Sequence, residues 1–288
     1  MTDELTVSAA LPTSDAPSPS HETTQADELL VERRGPALWL RINRPKALNG
    51  LVPSLLDAVD AGLDTAATDD GIHAVVLAAQ GRLFCAGADL KYVQGLFADP
   101  LTAAERQAAF LRRVGRTLDR IESLDKPVIA AVQGLALAGG LELVLCADIV
   151  VAARSAGFGD AHANFGLLPG GGGSLRLPRR VGLSKAKLMM FTGEPVPAAD
   201  LAHTDLVTRL VDDDQLVAEV DRITDSIAAK SPLGLARMKQ LANAALETPA
   251  PVALRREIEV SALHVHSADF REGLDAFNSK RAPQFTGH

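Results

Sequence analysis

From Lys126 to Arg154 the chain reads KPVIAAVQGLALAGGLELVLCADIVVAAR. Between Val128 and Ala153 only Gln133, Glu142 and Asp148 carry polar side chains. A strand with one wet face alternates apolar and polar residues; VIAAV and IVVAA do not. They read as strands covered on both faces. AGGLELVLCAD between them reads as a short helix led by glycines. Buried strands joined through helices require an α/β core.

The same signals recur upstream. ALWLRIN, from Ala37 to Asn43, alternates like a strand. SLLDAVDAGLDTAATD spaces Leu55, Val59 and Leu63 like a helix face, and IHAVVLAAQG is a strand running into a turn at Gly81. AAERQAAFLRRVGRTLDRIESL is a long amphipathic helix with Phe110, Val114, Leu118 and Ile121 on one face. The core therefore spans residues 28 to about 210. After about Val211 the strands stop. DDDQLVAEVDRITDSIAAK, SPLGLARMKQLANAAL and PVALRREIEVSALHVHSADFREGLDAFNSK all read as helical, and Ser231-Pro232 is a helix start. Residues 211–288 are thus a helical extension, suited to an oligomer contact or to capping the core.

Residues 1–27 are rich in Ser, Thr, Pro, Ala and acids and read as a disordered tail. No Lys or Arg precedes Arg33, so neither a secretory signal nor a mitochondrial presequence is expected. No apolar run is long enough for a membrane helix. Two distant cysteines, Cys85 and Cys146, give neither a disulfide framework nor zinc spacing. The expectation is a cytoplasmic chain. A net charge of −7 and 4% aromatic residues argue against nucleic acid or anionic membrane as partner.

Chemistry has two candidate seats. Gly139-Gly140 precedes a helix whose first turn holds Glu142. Amides there are unpaired donors at the positive end of the helix dipole, and glycines admit a ligand close to them. The same glycines equally suit tight strand–helix packing. Ala86-Gly87-Ala88 follows a strand end, and Asp89 can cap the next helix. An ordinary turn reads the same way. Two such amide sites could converge on one carbonyl oxygen, where losing one preorganised donor typically costs about 3 kcal/mol of transition-state stabilisation.

At this point the motifs INRPKALNGL, GRLFCAGADLKYV, KPVIAAVQGLALAGGLELVLCADIVVAA, FGDAHANFGLLPGGGGSLRLPRRVG, AKLMMFTGE and REGLDAFNSKRAPQF resemble those of the crotonase superfamily, the enoyl-CoA hydratases and isomerases. They run from about residue 30 to the end in the family's order. The resemblance implies a spiral of ββα units with a C-terminal helical trimerisation region, as a homotrimer or dimer of trimers. It implies an acyl-coenzyme A thioester as substrate and no metal or other cofactor. Oxyanion donors would be the amides of Ala88 and Gly139. The CoA moiety would lie along Lys46-Ala47, Ala86 and Ala88, Asp89, Leu90 and Lys91, with Gly170 helping to fix a water. Phe277 and Lys280 match positions that reach the nucleotide, often from a neighbouring subunit; Lys280 could equally be a solvated lysine.

Family hydratases use two glutamates to hold and activate water. Glu142 matches the first, but the second position, aligned on Phe158, Gly166 and Pro169, is His162. An imidazole titrates near working pH and can donate or accept a proton. One reading makes Glu142 the base toward water and His162 the proton source at C2. Others leave His162 as a substrate-binding residue in an altered crotonase reaction (isomerisation, decarboxylation or C–C cleavage) or in a non-catalytic acyl-CoA-binding subunit. Asp160 reads as a loop cap, although it could orient His162. His264 and His266, two apart on a helix, cannot share one ion. PGGGGSLR lacks the Lys-Ser/Thr of a nucleotide loop.

Overall fold

The computed structural model describes residues 28–288, so the expectation for the tail of residues 1–27 lies outside the described residues. An antiparallel hairpin of β1 (Leu29–Arg34) and β2 (Ala37–Ile42) opens the chain. It leads through α1 (Pro53–Thr68) to β3 (Ala74–Ala79), α2 (Leu90–Leu96) and α3 (Ala103–Ser123). Next come β4 (Val128–Val132), β5 (Leu135–Leu137), α4 (Gly139–Leu145), β6 (Ile149–Ala153) and β7 (Gly157–Gly159). Two helices, α5 (Gly173–Val181) and α6 (Leu183–Thr192), precede β8 (Val196–Pro197) and β9 (Arg209–Val211). Four helices close the order: α7 (Leu216–Ala228), α8 (Pro232–Ala245), α9 (Ala250–His264) and α10 (Ala268–Asn278).

The main sheet has the order β1-β2-β3-β4-β6-β9 and is parallel from β2 onward. A second sheet, β5-β7-β8, stacks its short strands beside it, and a parallel bridge from Cys85 to Ala136 adds the segment after β3. Each turn of the chain thus lays one strand in the main sheet, one short segment in the second, and then a helix. This is the expected spiral of ββα units. The main strands read as unbroken apolar runs because both faces are covered. Val75, Leu77 and Val128 pack with Leu55, Leu118 and Ile121 on one side. Trp39, Val76, Ile129 and Val151 pack with Leu216 and Val220 of α7 on the other.

Two starts follow their caps: Asp89 accepts from the Lys91 and Tyr92 amides at α2, and Ser231 from Gly234 at α8. The stretch from Pro251 to Lys280 departs from its sequence reading as one run. It breaks after His264 because Ser267 accepts from the Phe270 amide at 3.1 Å and so caps a new helix, α10. Two arginines of α3 reach across to α1: Arg113 pairs with Asp57 at 2.6 Å and Asp60 at 2.8 Å, and Arg120 with Asp60 at 3.3 Å. No helix among the described residues is long and apolar enough to cross a membrane.

Candidate active site

The two proposed amide sites meet. After β3 the amide of Ala86 donates to Leu48 O, that of Gly87 to the Cys85 sulfur, and that of Asp89 to Leu51 O. Ala88 N–H has no acceptor among the described residues. Opposite it, Ala138 has φ of +48°, with its own N–H on Gly159 O and its carbonyl accepting from Glu142 N. Gly139 N–H, next in line, also has no acceptor among the described residues. A Cβ built on Gly139 would lie 3.6 Å from Ala88 N and 3.5 Å from Gly87 Cα. Buried backbone donors are paired in the great majority of cases. Gly139 is buried and Ala88 half-buried, so these are two neighbouring amides without an acceptor among the described residues. Gly140 has the other role read for this pair: a Cβ there would lie 2.2 Å from Cys85 O, so only glycine lets α4 approach the second sheet.

Glu142 is 3% exposed and sits in the first turn of α4. Its Oε1 accepts from Gly171 N at 2.8 Å and Gly173 N at 2.9 Å. Oε2 takes no protein hydrogen bond among the described residues. Burial raises the carboxyl above its ordinary value; the amides of Gly173 and Gly171 and nearby His162 oppose that rise, and Asp160 adds to it. Arg176 of α5 braces the gripping loop. It donates to Gly171 O at 2.8 Å and pairs with Glu122 at 2.6 Å and Asp119 at 3.0 Å. Gly170 N–H has no acceptor among the described residues, and its Cα abuts Leu111 of α3. Sequence reasoning missed Gly171, Gly173 and Arg176. The run of four glycines was the available signal, but which amides turn inward is a matter of tertiary geometry.

His162 begins a short 3₁₀ turn, His162–Phe165. Its Nδ1 lies 3.0 Å from Asp160 Oδ1, with side chains 11% and 3% exposed. Burial alone would lower the imidazole pKa. The hydrogen bond and charge of Asp160, helped by Glu142, overcome it and hold the ring above 6.5. Asp160 is therefore not the loop cap the sequence suggested: its carboxylate faces the imidazole, and the turn has no side-chain cap.

Lys46 and Ala47 lie on a 3₁₀ turn, Pro45–Ala47. Buried Asn49 pins that loop by donating to Gln80 O and Leu83 O at 2.9 and 3.0 Å. The segments 46–47 and 86–91 therefore adjoin, with Ala86 N on Leu48 O at 3.1 Å. Leu90 and Lys91 are exposed beside them. The Asp89 side chain is occupied by its cap and by Arg44 at 3.1 Å, and its backbone by Leu51 O at 3.0 Å and Val93 N at 2.9 Å. Phe277 and Lys280 stand apart at the end of α10, with Phe277 81% exposed. Neither makes a side-chain hydrogen bond or ion pair to the 46–91 region among the described residues. Cys85 and Cys146 are fully buried and each thiol is pushed up to about 12, so neither suits a nucleophile. His264 is held by Arg237 at 2.7 Å.

The profile of the enoyl-CoA hydratase/isomerase family matches residues 34–288. The chain belongs to that family. It is 36% identical to the crotonyl-CoA hydratase of Syntrophomonas wolfei over 262 residues, covering 90% of this chain and 98% of the relative. It is also 36% identical to the 2,3-dehydroadipyl-CoA hydratase of Escherichia coli over 261 residues, covering 90% and 99%. Among solved structures, the enoyl-CoA hydratase of Mycobacterium smegmatis superposes with a TM-score of 0.83 at 35% identity, over 90% of this chain and 98% of that one. The fold is thus the crotonase fold, and hydratase-type activity is the family function its relatives support.

Proposed function

We propose that the chain hydrates a 2,3-unsaturated acyl-CoA in the cytoplasm, with the thioester oxygen held by the amides of Ala88 and Gly139. The observation that carries this reading is the pair of neighbouring N–H groups with no acceptor among the described residues. Charge develops on that oxygen as water attacks C3, and fixed donors stabilise it without reorganising. Glu142, through Oε2, takes a proton from water, whose oxygen bonds to C3. Gly170 N–H helps to hold that water. His162 as imidazolium delivers a proton to C2. Glu142 then holds one proton and His162 has lost one, and transfer through solvent restores both. No oxidation state changes overall, so the reaction calls for no electron carrier; the CoA ester is the substrate.

The CoA portion runs along Lys46-Ala47 and Ala86 to Lys91. Phe277 and Lys280 reach a neighbouring protomer's nucleotide in a homotrimer or dimer of trimers. Supporting that assembly, α9 buries no residue, and Leu254, Ile258 and Phe277 are 61%, 71% and 81% exposed. Ile258→Asp is expected to lower the mass seen by light scattering. For the reaction itself, loss of the enoyl thioester absorbance is followed with crotonyl-CoA beside a binding titration. Turnover that falls at least about a hundredfold in Glu142→Gln, with affinity retained, supports the reading. Binding without turnover by the parent protein overturns it in favour of a non-catalytic acyl-CoA binder. Turnover only of a saturated or carboxylated CoA ester favours an altered crotonase reaction, to which the imidazole at position 162 lends itself.

A further inference from the structure

We propose that Asp160 is a positioning residue for this reaction: it fixes His162 with the proton on Nδ1, leaving Nε2 as the nitrogen that meets the substrate. The proton donor is then the outer half of an aspartate–histidine pair instead of a second carboxyl. The inference rests on the reading of His162 as proton donor.

Three observations converge. The first is the contact itself, 3.0 Å between Nδ1 and Oδ1. A carboxylate only accepts, so the ring nitrogen facing it must carry hydrogen. Nε2 has no partner among the described residues. The second is burial. Asp160 is 2% exposed, and its carboxylate takes no other side-chain or backbone donor among the described residues. A buried carboxylate is costly unless a donor, best a cationic one, faces it. Here that donor is the imidazole. The third is the backbone. In an extended strand, residues two apart share a face but lie roughly 6.6 Å apart at their Cα atoms. Between these two, Ala161 turns at φ of +56°, in the region an L-residue rarely adopts, and the imidazole returns over the carboxylate. The turn is fixed by Leu167 N on His162 O at 3.0 Å and Asn164 N on Ala161 O at 3.3 Å. It also packs on α6, where Asn164 donates to Gly193 O at 3.0 Å.

The charged groups that face His162 are Asp160 from its own loop and Glu142 from α4. Packed α6 carries Lys185 and Lys187; Lys185 donates to Asp200 O at 3.0 Å. Two carboxyl groups thus act on the ring: Asp160 in direct contact at 3.0 Å, and Glu142 through its charge. Metal-bound histidines are oriented by the same kind of outer carboxylate, whose loss typically costs about 10–100-fold.

The test compares Asp160→Asn, His162→Gln and the parent with crotonyl-CoA across pH, each checked by thermal melting. Asp160→Asn is expected to lower kcat about 10–100-fold with little change in KM. It should also move the alkaline limb of the pH profile down by about one unit, because the opposing charge is gone. A purely structural role would not move that limb. Should Asp160→Asn keep the parent kcat and limb while His162→Gln is impaired, the inference falls and the donor assignment stands. Parent turnover in His162→Gln overturns both. If Asp160→Asn does not fold, ¹⁵N imidazole spectra of the parent decide. Nδ1–H in the neutral ring supports the inference, and Nε2–H, the form favoured by free histidine, overturns it.

Discussion

Glu142 holds two positions at once, and substitution can separate them. Its Oε1 satisfies the amides of Gly171 and Gly173, while Oε2 takes no donor among the described residues and is the oxygen proposed to meet water. Removing the acceptor, as in Glu142→Ala, strands both donors at about 1–3 kcal/mol each, or about 2–6 kcal/mol together. Glu142→Gln keeps an oxygen in the same place and loses only the charge. Its stability is expected within about 1 kcal/mol of the parent, and its turnover about 10²–10⁴-fold lower. The pH dependence has a definite sign. The folded carboxyl titrates above its ordinary value, so the folded state holds the proton more tightly than the unfolded chain. The parent therefore loses stability as pH rises from its unfolded pKa through the higher folded one, and the Gln variant does not. Urea midpoints at several pH values, set beside crotonyl-CoA turnover, measure both effects. Parent-like turnover in Glu142→Gln would refute the base. A Glu142→Ala variant as stable as the parent would refute the grip.

Three further outcomes are expected. Gly140→Ala places a methyl 2.2 Å from Cys85 O and should cost about 3 kcal/mol or more, read as a lower urea midpoint. Arg176→Met frees the Gly171 carbonyl and leaves Glu122 and Asp119 unpaired; turnover should drop about 10–100-fold with modest loss of thermal stability. Activity needs Glu142 ionised and His162 protonated, and both groups titrate above their ordinary values. The acid limb of kcat/KM should therefore lie above 4.5 and the alkaline limb above 6.5, with the alkaline limb lost in His162→Gln.

The main strands, the long α3 face and the Ser231 cap were legible because apolar runs, helical spacing and cap chemistry are local signals. The residues alone left the amide pair open, since Gly139-Gly140 reads equally as strand–helix packing and Ala86-Gly87-Ala88 as an ordinary turn, and the resemblance to the family supplied the reading. The second sheet was not legible: β5, β7 and β8 have only three, three and two residues, too short for any periodicity to register. The break at Ser267 was hidden by helix-forming neighbours on both sides. Asp160 was misread because a cap and an imidazole partner look alike in one dimension, and only the left-handed turn at Ala161 tells them apart. The Gly171 and Gly173 amides became meaningful once α4 and α5 lay side by side.

The amides of Ala88 and Gly139 belong to successive coils of the chain, and what joins those coils next to the amides, apart from the β3–β4 pairing in the main sheet, is the short Cys85–Ala136 bridge. The cradle proposed for the thioester oxygen is consequently a seam and not a pocket carved in one rigid piece. Loosening that seam by an ångström would disarm the molecule while its large sheet stayed intact, so inactivation should run ahead of unfolding on heating.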